Sequence, residues 1–368
     1  MTNSGLVVDG RRFDRVHLIV NADASNAGFC ALMTFALNGV RHAIRNDWLP
    51  VVHFDRLNCP FFYEREFGED VWSYYFEPVA GVTYEQVENW RRAGQLDAEQ
   101  IHTHHWRDLL DWHHSDPDRI ATFWAADVPA DPAAWMAAKR ALGRRYVADH
   151  LRVKPHIAAK VQAFVDQRMR GSFTFGAHVR GTDFAYAEPT PPTAYFNAID
   201  ERVRRSGLAE YQVFLATDQQ QFVDLFRQRY GDRLLTYDAF RSSGDVAPFR
   251  MSGASPYKKG EDVLIDTLIM SRCDFLLKGA AAGGEYALWF NPALECVDFG
   301  LQSRFDTRQY HLLESAYLKL NPDAAGRWHL RLRRACNIAV QYVSSSAAAT
   351  LARRAWGLWH RLTTQAVQ

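Results

Sequence analysis

The chain has 368 residues, and its 43 Lys and Arg against 42 Asp and Glu give a formal net charge of +1. This balance argues against a dedicated nucleic-acid-binding protein, which usually has a strong basic excess. Hydrophobic residues make up 48% of the chain, which excludes wholesale disorder. Because the length exceeds what one hydrophobic core usually holds, we expect two domains of ordinary size.

The first half opens with a predicted strand–helix–strand unit. The short apolar run Val16–Val20 is typical of a buried strand, and Leu49–Phe54 is typical of a second one. Between them lie a polar loop, Asn21–Gly28, and a helix with apolar residues at helical spacing, Phe29–Ile44. Since α/β folds bind ligands at the carboxyl ends of strands, this loop and its Gly28 are candidate binding residues.

Residues from about 59 to 135 are less regular and rich in aromatic side chains. Those between Phe61 and Phe76 are predicted to be core, although exposed Trp and Tyr rings could also stack on sugars. Lys139–Gln167 is predicted to be helical, with an interruption near Pro155. We place a domain boundary close to Arg170, so that the N-terminal domain spans residues 1–170.

The second half alternates strands and helices regularly, which predicts a parallel sheet in a domain spanning residues 171–320. The predicted strands are Phe173–Val179, Tyr211–Ala216, Leu234–Tyr237, Phe275–Lys278 and Glu295–Phe299. The predicted helices are Thr193–Arg205, Gln219–Arg229, Asp262–Arg272 and Glu285–Phe290. Thr193 follows two prolines and is expected to cap the first of these helices.

The C-terminal tail, residues 321–368, differs in charge from the rest of the chain. From Ala324 to Gln368 there are seven arginines, no lysine and no acidic residue, so this stretch carries +7 and the rest of the chain carries −6. Leu351–Leu362 is predicted to form an amphipathic helix. Two roles are open: contact with an anionic membrane surface, or packing of the helix across the two domains.

The cysteines and the apolar runs indicate the compartment. Five cysteines at wide spacing include no CxxC pair, so neither a disulfide framework nor a zinc ribbon is expected. The first fifteen residues lack the apolar segment of a signal peptide, and no run of about 18 apolar residues predicts a spanning helix. We therefore expect a cytoplasmic protein.

The first candidate site is the sequence HVRGTD at the end of a predicted strand. Arg180 could form two hydrogen bonds with a phosphate, and His178, Thr182 and Asp183 could add further polar contacts. The alternative is a structural Arg–Asp pair within a turn.

Two other candidate sites involve carboxylates. Thr217 and Asp218 close a strand, where they could cap the following helix or hold a ribose hydroxyl. Asp266 lies within an otherwise apolar helix, where a carboxylate is costly without a partner. It therefore lines a polar site or pairs with an internal cation.

A glycine-rich turn, Gly279–Gly284, precedes a predicted helix. Small residues let a ligand approach the backbone, and a helix N-terminus favours an anion such as a diphosphate. With the other candidates it predicts a site for a nucleoside diphosphate. The chain's one DxD sequence, Asp116–Asp118, contains a proline and reads as a turn, so we expect no metal and assign neutralisation to Arg180, the helix N-terminus and Lys258 or Lys259.

A cluster of histidines in the first half is a weaker metal candidate. No pattern such as HExxH accompanies it, and acceptor contact or a solvated segment is favoured over metal binding. The cluster consists of His102, His104, His105, His113 and His114.

The ordered motifs of the second half resemble those of the fucosyltransferase superfamily, which includes α-1,6-, nodulation and protein O-fucosyltransferases. HVRGTD resembles the superfamily's His-x-Arg-Arg-Thr-Asp motif, and FLATD resembles its strand ending in Ala-Thr-Asp. VLIDTLIMSRCDFLL resembles its helix-and-strand motif with an internal Asp. The resemblance spans His178 to Asn291, and extends more weakly to the N-terminal NAGF loop.

The resemblance implies a GT-B-like pair of Rossmann-type domains and an inverting, metal-independent transfer of fucose from GDP-fucose. It implies that Arg180 holds the β-phosphate and that His178 and Asp266 contact the guanine end. In α-1,6-fucosyltransferases a catalytic Glu lies ten residues after the motif His, a position that Glu188 occupies here. Glu188 would deprotonate the acceptor hydroxyl; the alternative is a solvated loop carboxylate.

Two departures from the superfamily pattern affect the expected donor. Gly181 replaces the second Arg of the motif. The first residues of the glycine-rich turn, Gly279–Ala282, which we call the Ala-rich turn, replace a Ser-containing turn, so that backbone amides near Ala281 and Ala282 would contact phosphate. We therefore expect a fucosyltransferase acting on a glycan or lipid-linked glycan. The alternatives are another GDP-sugar as donor, a non-catalytic glycan- or nucleotide-binding protein on a decayed scaffold, and a metal-dependent hydrolase built on the His cluster.

Overall fold

The computed structural model describes residues 6–21, 28–105, 118–123, 129–182, 190–244 and 246–302. Within these ranges the chain forms two parallel β-sheets with flanking helices and a small antiparallel hairpin. The predicted mixed α/β class with parallel sheets is confirmed. The predicted tail helix lies outside the described residues and stays a prediction.

The N-terminal part forms the hairpin and the smaller sheet. Its strands are β1 (Leu6–Val8), β2 (Arg11–Phe13), β3 (Val16–Val20), β4 (Leu49–Val52) and β5 (Ile101–His105). Its helices are α1 (Phe29–Arg45), α2 (Trp72–Tyr75) and α3 (Tyr84–Arg92). The hairpin pairs β1 with β2, and the parallel sheet has the order β4-β3-β5. Since α1 connects two parallel neighbours, the predicted strand–helix–strand unit is confirmed.

Two helices connect the halves of the chain, α4 (Pro132–His150) and α5 (Pro155–Arg168). Each begins with a proline, because the first helical position needs no N–H donor. The predicted interruption near Pro155 is confirmed. The helical stretch begins at Pro132 rather than Lys139, since Asp131 caps α4 by accepting from the Ala134 N–H at 3.0 Å.

The second half forms a five-stranded parallel sheet. Its strands are β6 (Phe173–Val179), β7 (Tyr211–Thr217), β8 (Leu234–Leu235), β9 (Phe275–Lys278) and β10 (Glu295–Asp298). Its helices are α6 (Pro192–Ser206), α7 (Gln220–Tyr230), α8 (Pro256–Met270) and α9 (Ala282–Phe290). The strand order β10-β9-β6-β7-β8 is that of a doubly wound sheet, in which the chain builds outward from β6 in both directions.

The predicted starts of three helices need correction. Thr193 does not cap α6, because the helix begins at Pro192 and Pro191 occupies the cap position. Helix α8 begins before Asp262, since Ser255 caps it by accepting from the Lys258 N–H at 3.2 Å. Helix α9 likewise begins at Ala282, before Glu285.

The largest apolar cluster contains residues of both halves. Helix α1 contributes Leu37 and Val40, while α8 and α9 contribute Leu264, Ile265 and Tyr286. Helix α4 packs against α9, and α5 packs against α8. The helices that precede residue 170 therefore pack on helices of the second sheet, and the boundary near that residue stays a prediction.

The aromatic segment belongs mainly to this core, as predicted. Phe62 is 1% exposed and Tyr75 is 1% exposed, whereas Phe61 and Tyr63 are partly exposed. The Tyr75 hydroxyl donates to the Tyr257 carbonyl at 2.9 Å and so links the segment to α8. A Cβ on Gly260 would lie 2.4 Å from this hydroxyl, so glycine allows the close packing.

Four cysteines within the described residues are free thiols: Cys30, Cys59, Cys273 and Cys296. Within the same part of the chain, none of the helices combines the length and the apolarity needed to cross a bilayer.

Candidate functional site

The candidate site lies where β6 and β9 are neighbours in the larger sheet. The two strands are in register, with His178 beside Lys278. At this switch point the segments that follow the two strands diverge and leave a crevice at their carboxyl ends. The loop Arg180–Thr182 follows β6, and the turn Gly279–Ala281 follows β9. Two motifs about a hundred residues apart are therefore brought together.

Asp218 holds the loop that follows β6. It accepts from the Gly181 N–H at 2.8 Å and the Thr182 N–H at 3.2 Å, and also from the Thr182 hydroxyl. The Arg180 Nε lies 3.2 Å from the same carboxylate. Arg180 therefore pairs with Asp218, which follows the neighbouring strand; a pair within the turn itself stays a prediction, because Asp183 lies outside the described residues. Thr182 is fully buried, whereas the Arg180 side chain is 30% exposed at the crevice.

His178 is held as a neutral ring with a defined tautomer. Its Nδ1 accepts from the Gly284 N–H at 3.1 Å, which assigns the proton to Nε2. Burial, together with the nearby charges of Arg180 and Lys278, lowers the His178 pKa to about 3. The ring therefore remains an N–H donor at neutral pH. A Cβ on Gly283 would lie 2.9 Å from Nε2, so the glycines of the turn make room for this ring.

The N-terminus of α9 faces the same crevice. Ala281 occupies the cap position with extended backbone angles and offers no side chain that could cap the helix, while the Gly284 N–H of the first turn is bound by His178. Ala280 is 2% exposed and Ala281 is 4% exposed, and the partly buried Phe123 packs against them. Such a terminus presents N–H donors and a positive dipole end to an anion.

A buried network of four charges lies beneath this turn. The Lys278 Nζ is 3.1 Å from Glu285 and 2.9 Å from Asp298. Arg140 donates to both oxygens of Glu285, at 2.8 and 3.0 Å, and also pairs with Asp298. Two positive charges thus balance two negative ones. Sequence reasoning missed this network, although Lys278 at the end of the apolar run FLLK and Glu285 at the start of EYALWF flank the turn and could have signalled it.

Asp266 is buried without a hydrogen-bond partner for its Oδ1 among the described residues. Burial and, to a smaller extent, the nearby Asp262 raise the Asp266 pKa to about 8, although the charge of Arg241 opposes the shift. Of the two sequence interpretations, a polar site fits better, because no ion pair joins Asp266 to Arg241 in the described structure. Arg241 was not predicted, since it lies in a loop without a motif.

Thr217 and Gly28 border the site from different elements. Thr217 is 7% exposed and its hydroxyl accepts from the Gln219 N–H at 3.3 Å; neither it nor Asp218 caps α7, because Gln219 holds that position. Gly28 is the cap residue of α1. Burial raises the pKa of Cys30, the second residue of α1, to about 12, whereas the nearby charge of Arg180 lowers it. Since Cys30 lies near Arg180, α1 begins beside the crevice.

Several predicted residues are not placed at the crevice as ligand groups. Asp183 and Glu188 lie outside the described residues, and so do most side chains of the His cluster. Lys258 pairs with Asp262 at 2.8 Å, and Lys259 donates to a backbone carbonyl. Across the described ranges, no three His, Cys, Asp or Glu side chains form a group that could hold a metal.

Comparisons with known proteins give matches among solved structures. No family model matches the chain, and no curated protein matches it. NodZ α-1,6-fucosyltransferase co-crystallised with GDP is similar at 16% identity and a TM-score of 0.46, covering 76% of this chain and 93% of that one. An Arabidopsis thaliana FUT1 mutant in complex with GDP is similar at 10% identity and a TM-score of 0.42, covering 81% and 72%.

A third similar structure is POFUT1 in complex with GDP, at 12% identity and a TM-score of 0.42, covering 81% of this chain and 99% of that one.

Proposed function

We propose that the protein is a metal-independent, inverting glycosyltransferase with a GT-B-like fold that transfers fucose from GDP-fucose to a glycan or lipid-linked glycan. The observation that carries this proposal is the meeting of the HVRGTD loop and the Ala-rich turn at the switch point of the doubly wound sheet. Nucleotides bind at such points, and the HVRGTD loop resembles a motif of fucosyltransferases.

The diphosphate end of the donor would lie between Arg180 and the start of α9. The Arg180 guanidinium would hold the β-phosphate, and the backbone N–H groups near Ala281 and Ala282 would hold the remaining phosphate oxygens. These groups supply positive potential without a metal ion. Thr182 and Asp218 would shape this end by fixing the loop.

The guanine end would contact His178 and Asp266. The Nε2–H of the neutral His178 is a fixed donor, and the carboxyl group of Asp266 is an acceptor for N–H groups. We propose that Asp183, Thr217 and Gly28 make the remaining contacts with the sugar nucleotide.

We propose Glu188 as the base of the transfer. The acceptor hydroxyl would attack the anomeric carbon of fucose from the face opposite GDP, while its proton passes to the Glu188 carboxylate. The bond between the anomeric carbon and the phosphate oxygen breaks, and GDP leaves with the electron pair. One displacement on the opposite face inverts the anomeric configuration.

Calorimetric titration with GDP, GDP-fucose, GDP-mannose and UDP-sugars tests the donor. We expect GDP-fucose to bind and Arg180→Ala to abolish binding, because the variant loses the group assigned to the β-phosphate. Preference for a UDP-sugar over every GDP ligand would contradict the donor assignment. Mass spectrometry of products from GDP-fucose and a glycan panel then tests transfer.

A second candidate is a non-catalytic nucleotide- or glycan-binding protein on a decayed transferase scaffold. The observation that favours it is Gly181, where a Cβ would lie 1.9 Å from the Gln219 Oε1 and 2.5 Å from Phe222. The space that an arginine would need here is filled. Acceptor-dependent release of GDP distinguishes the two, since only a transferase releases GDP when a glycan is added.

We further propose that the protein is cytoplasmic and meets its acceptor at an anionic membrane surface through its basic tail. The charge of +7 between Ala324 and Gln368 supports this, since arginine-rich amphipathic segments bind anionic lipid. Deletion from Ser344 onward should release the protein from anionic vesicles. Unfolding of the truncated protein would instead indicate a structural clasp.

A further inference from the structure

An unsatisfied donor, on the segment of Arg241, and an unsatisfied acceptor, on α8, lie on two segments that a hydrogen bond joins, and the charge of Arg241 reaches Asp266. The Arg241 Nε and the Asp266 Oδ1 are both buried, and neither has a hydrogen-bond partner among the described residues. Asp266 is 9% exposed as a whole. Buried polar groups are costly when unpaired, so such a pair indicates a place where a ligand completes the hydrogen bonds.

The backbone around Arg241 fixes its guanidinium in this position. Its Nη1 donates to the Ala239 carbonyl at 3.2 Å and its Nη2 to the Tyr237 carbonyl at 2.8 Å. The preceding residue, Phe240, donates its N–H to Asp262 of α8 at 2.8 Å. Two of the three guanidinium nitrogens are thus occupied by the protein, while Nε remains for a ligand.

The same segment connects to the loop assigned to the phosphates. The Ser242 N–H donates to the Asp218 carbonyl at 2.9 Å, and the Asp218 side chain holds the Arg180–Thr182 loop. Arg241 therefore lies along the edge of the sheet that carries Arg180. One ligand that spans this edge could reach both arginines.

We propose that Arg241 is a specificity-determining residue that reads the nucleobase of the donor together with Asp266. The proposal rests on the proposed function. Guanine presents in a row one acceptor, O6, and two donors, N1–H and the exocyclic N–H. The Arg241 Nε–H supplies one donor, and the Asp266 carboxylate supplies two acceptors. Hypoxanthine lacks one of the two donors, and adenine presents only one donor on this edge.

The charge of Arg241 has a second consequence for Asp266. Burial favours the neutral carboxyl, whereas two N–H donors of a base favour the carboxylate. A fixed guanidinium nearby stabilises the carboxylate once the base has displaced water. Loss of Arg241 should therefore weaken binding of the base with two donors most.

Calorimetric titration of the full chain with GDP, IDP and ADP tests the proposal. For the wild type we expect affinities in the order GDP, IDP, ADP, with about tenfold or more between successive ligands. Arg241→Met should weaken GDP binding by about tenfold or more and leave ADP binding nearly unchanged. The ratio of GDP affinity to ADP affinity should therefore become smaller. Arg233→Met is the matched control, because Arg233 stacks on Tyr211 at the opposite end of the strands.

Asp266→Asn is a second variant, in case Arg241→Met does not fold. It should also narrow the ratio of GDP to ADP, because the amide replaces one acceptor by a donor. If the wild type prefers GDP and Arg241→Met keeps the ratio of GDP affinity to ADP affinity while Asp266→Asn lowers it, the role of Arg241 is refuted and the proposed function stands. If both variants keep the ratio, the assignment of Asp266 to the guanine end is refuted as well. If the wild type binds no nucleoside diphosphate, both fail.

Discussion

Replacement of Arg140 by methionine tests whether the buried charge network holds the turn before α9. The change removes one of two positive charges and leaves Lys278 facing both Glu285 and Asp298. Methionine keeps most of the aliphatic stem and its packing. We expect a large loss of stability, because Glu285 is fully buried and cannot recover its solvation.

The magnitude follows from the contacts that are lost. Arg140 makes two hydrogen bonds to Glu285 and an ion pair with Asp298, and its side chain is only 15% exposed. Removing one partner of a buried ion pair costs about 3–5 kcal/mol. Lys278 still neutralises one carboxylate, so we expect the lower end, about 3 kcal/mol.

Urea denaturation followed by tryptophan fluorescence measures the loss. Arg144→Met is the matched control on the same helix, since Arg144 only donates to the Leu288 carbonyl at 3.2 Å; we expect about 1 kcal/mol or less. The double variant Arg140→Met with Glu285→Gln restores charge balance and should recover much of the stability. A single variant no less stable than the Arg144 control, or a double variant less stable than the single one, would refute the reasoning.

Three further predictions concern the site. Gly283→Ala should lower GDP affinity about tenfold with the fold retained, because its Cβ would lie 2.9 Å from the His178 ring. Gly244→Ala is the control in the same titration, because a Cβ at that position would have no atom within 4 Å. Equal GDP affinities of the two variants would contradict the role of the ring. Asp266 has a pKa raised to about 8, so its neutral form stabilises the fold at low pH and this contribution is lost as pH rises towards 8. Between pH 5 and pH 8 the urea midpoint should therefore fall less for Asp266→Asn than for the wild type. An equal fall of the midpoint in both proteins would show that the raised pKa is absent. Glu188→Gln should bind GDP-fucose as the wild type does yet show no transfer in a product assay, and an active variant would exclude the base role.

Much of the fold follows from local sequence. The bounds of β3, β6 and β9 agree with the prediction, because short apolar runs between polar loops are compatible with few other structures. Helix starts were less predictable. Helix α6 begins at Pro192 because proline has a fixed backbone angle suited to the first turn, and α8 begins after Ser255 because that side chain caps it. The HVRGTD loop and the Ala-rich turn were also identified from sequence.

The sequence by itself determined which segments form strands and which residues have the chemistry to hold a diphosphate. Only the tertiary structure decided which partners those residues have. The sequence left two roles for Asp218, capping a helix or binding a ribose, and the fold places its side chain against the Arg180 loop. Arg140 and Arg241 carry no motif, and they reach Glu285 and the surroundings of Asp266 because packing brings distant segments together. Hydrogen bonds and charges act over a few ångströms of space, and distance along the chain does not encode that separation.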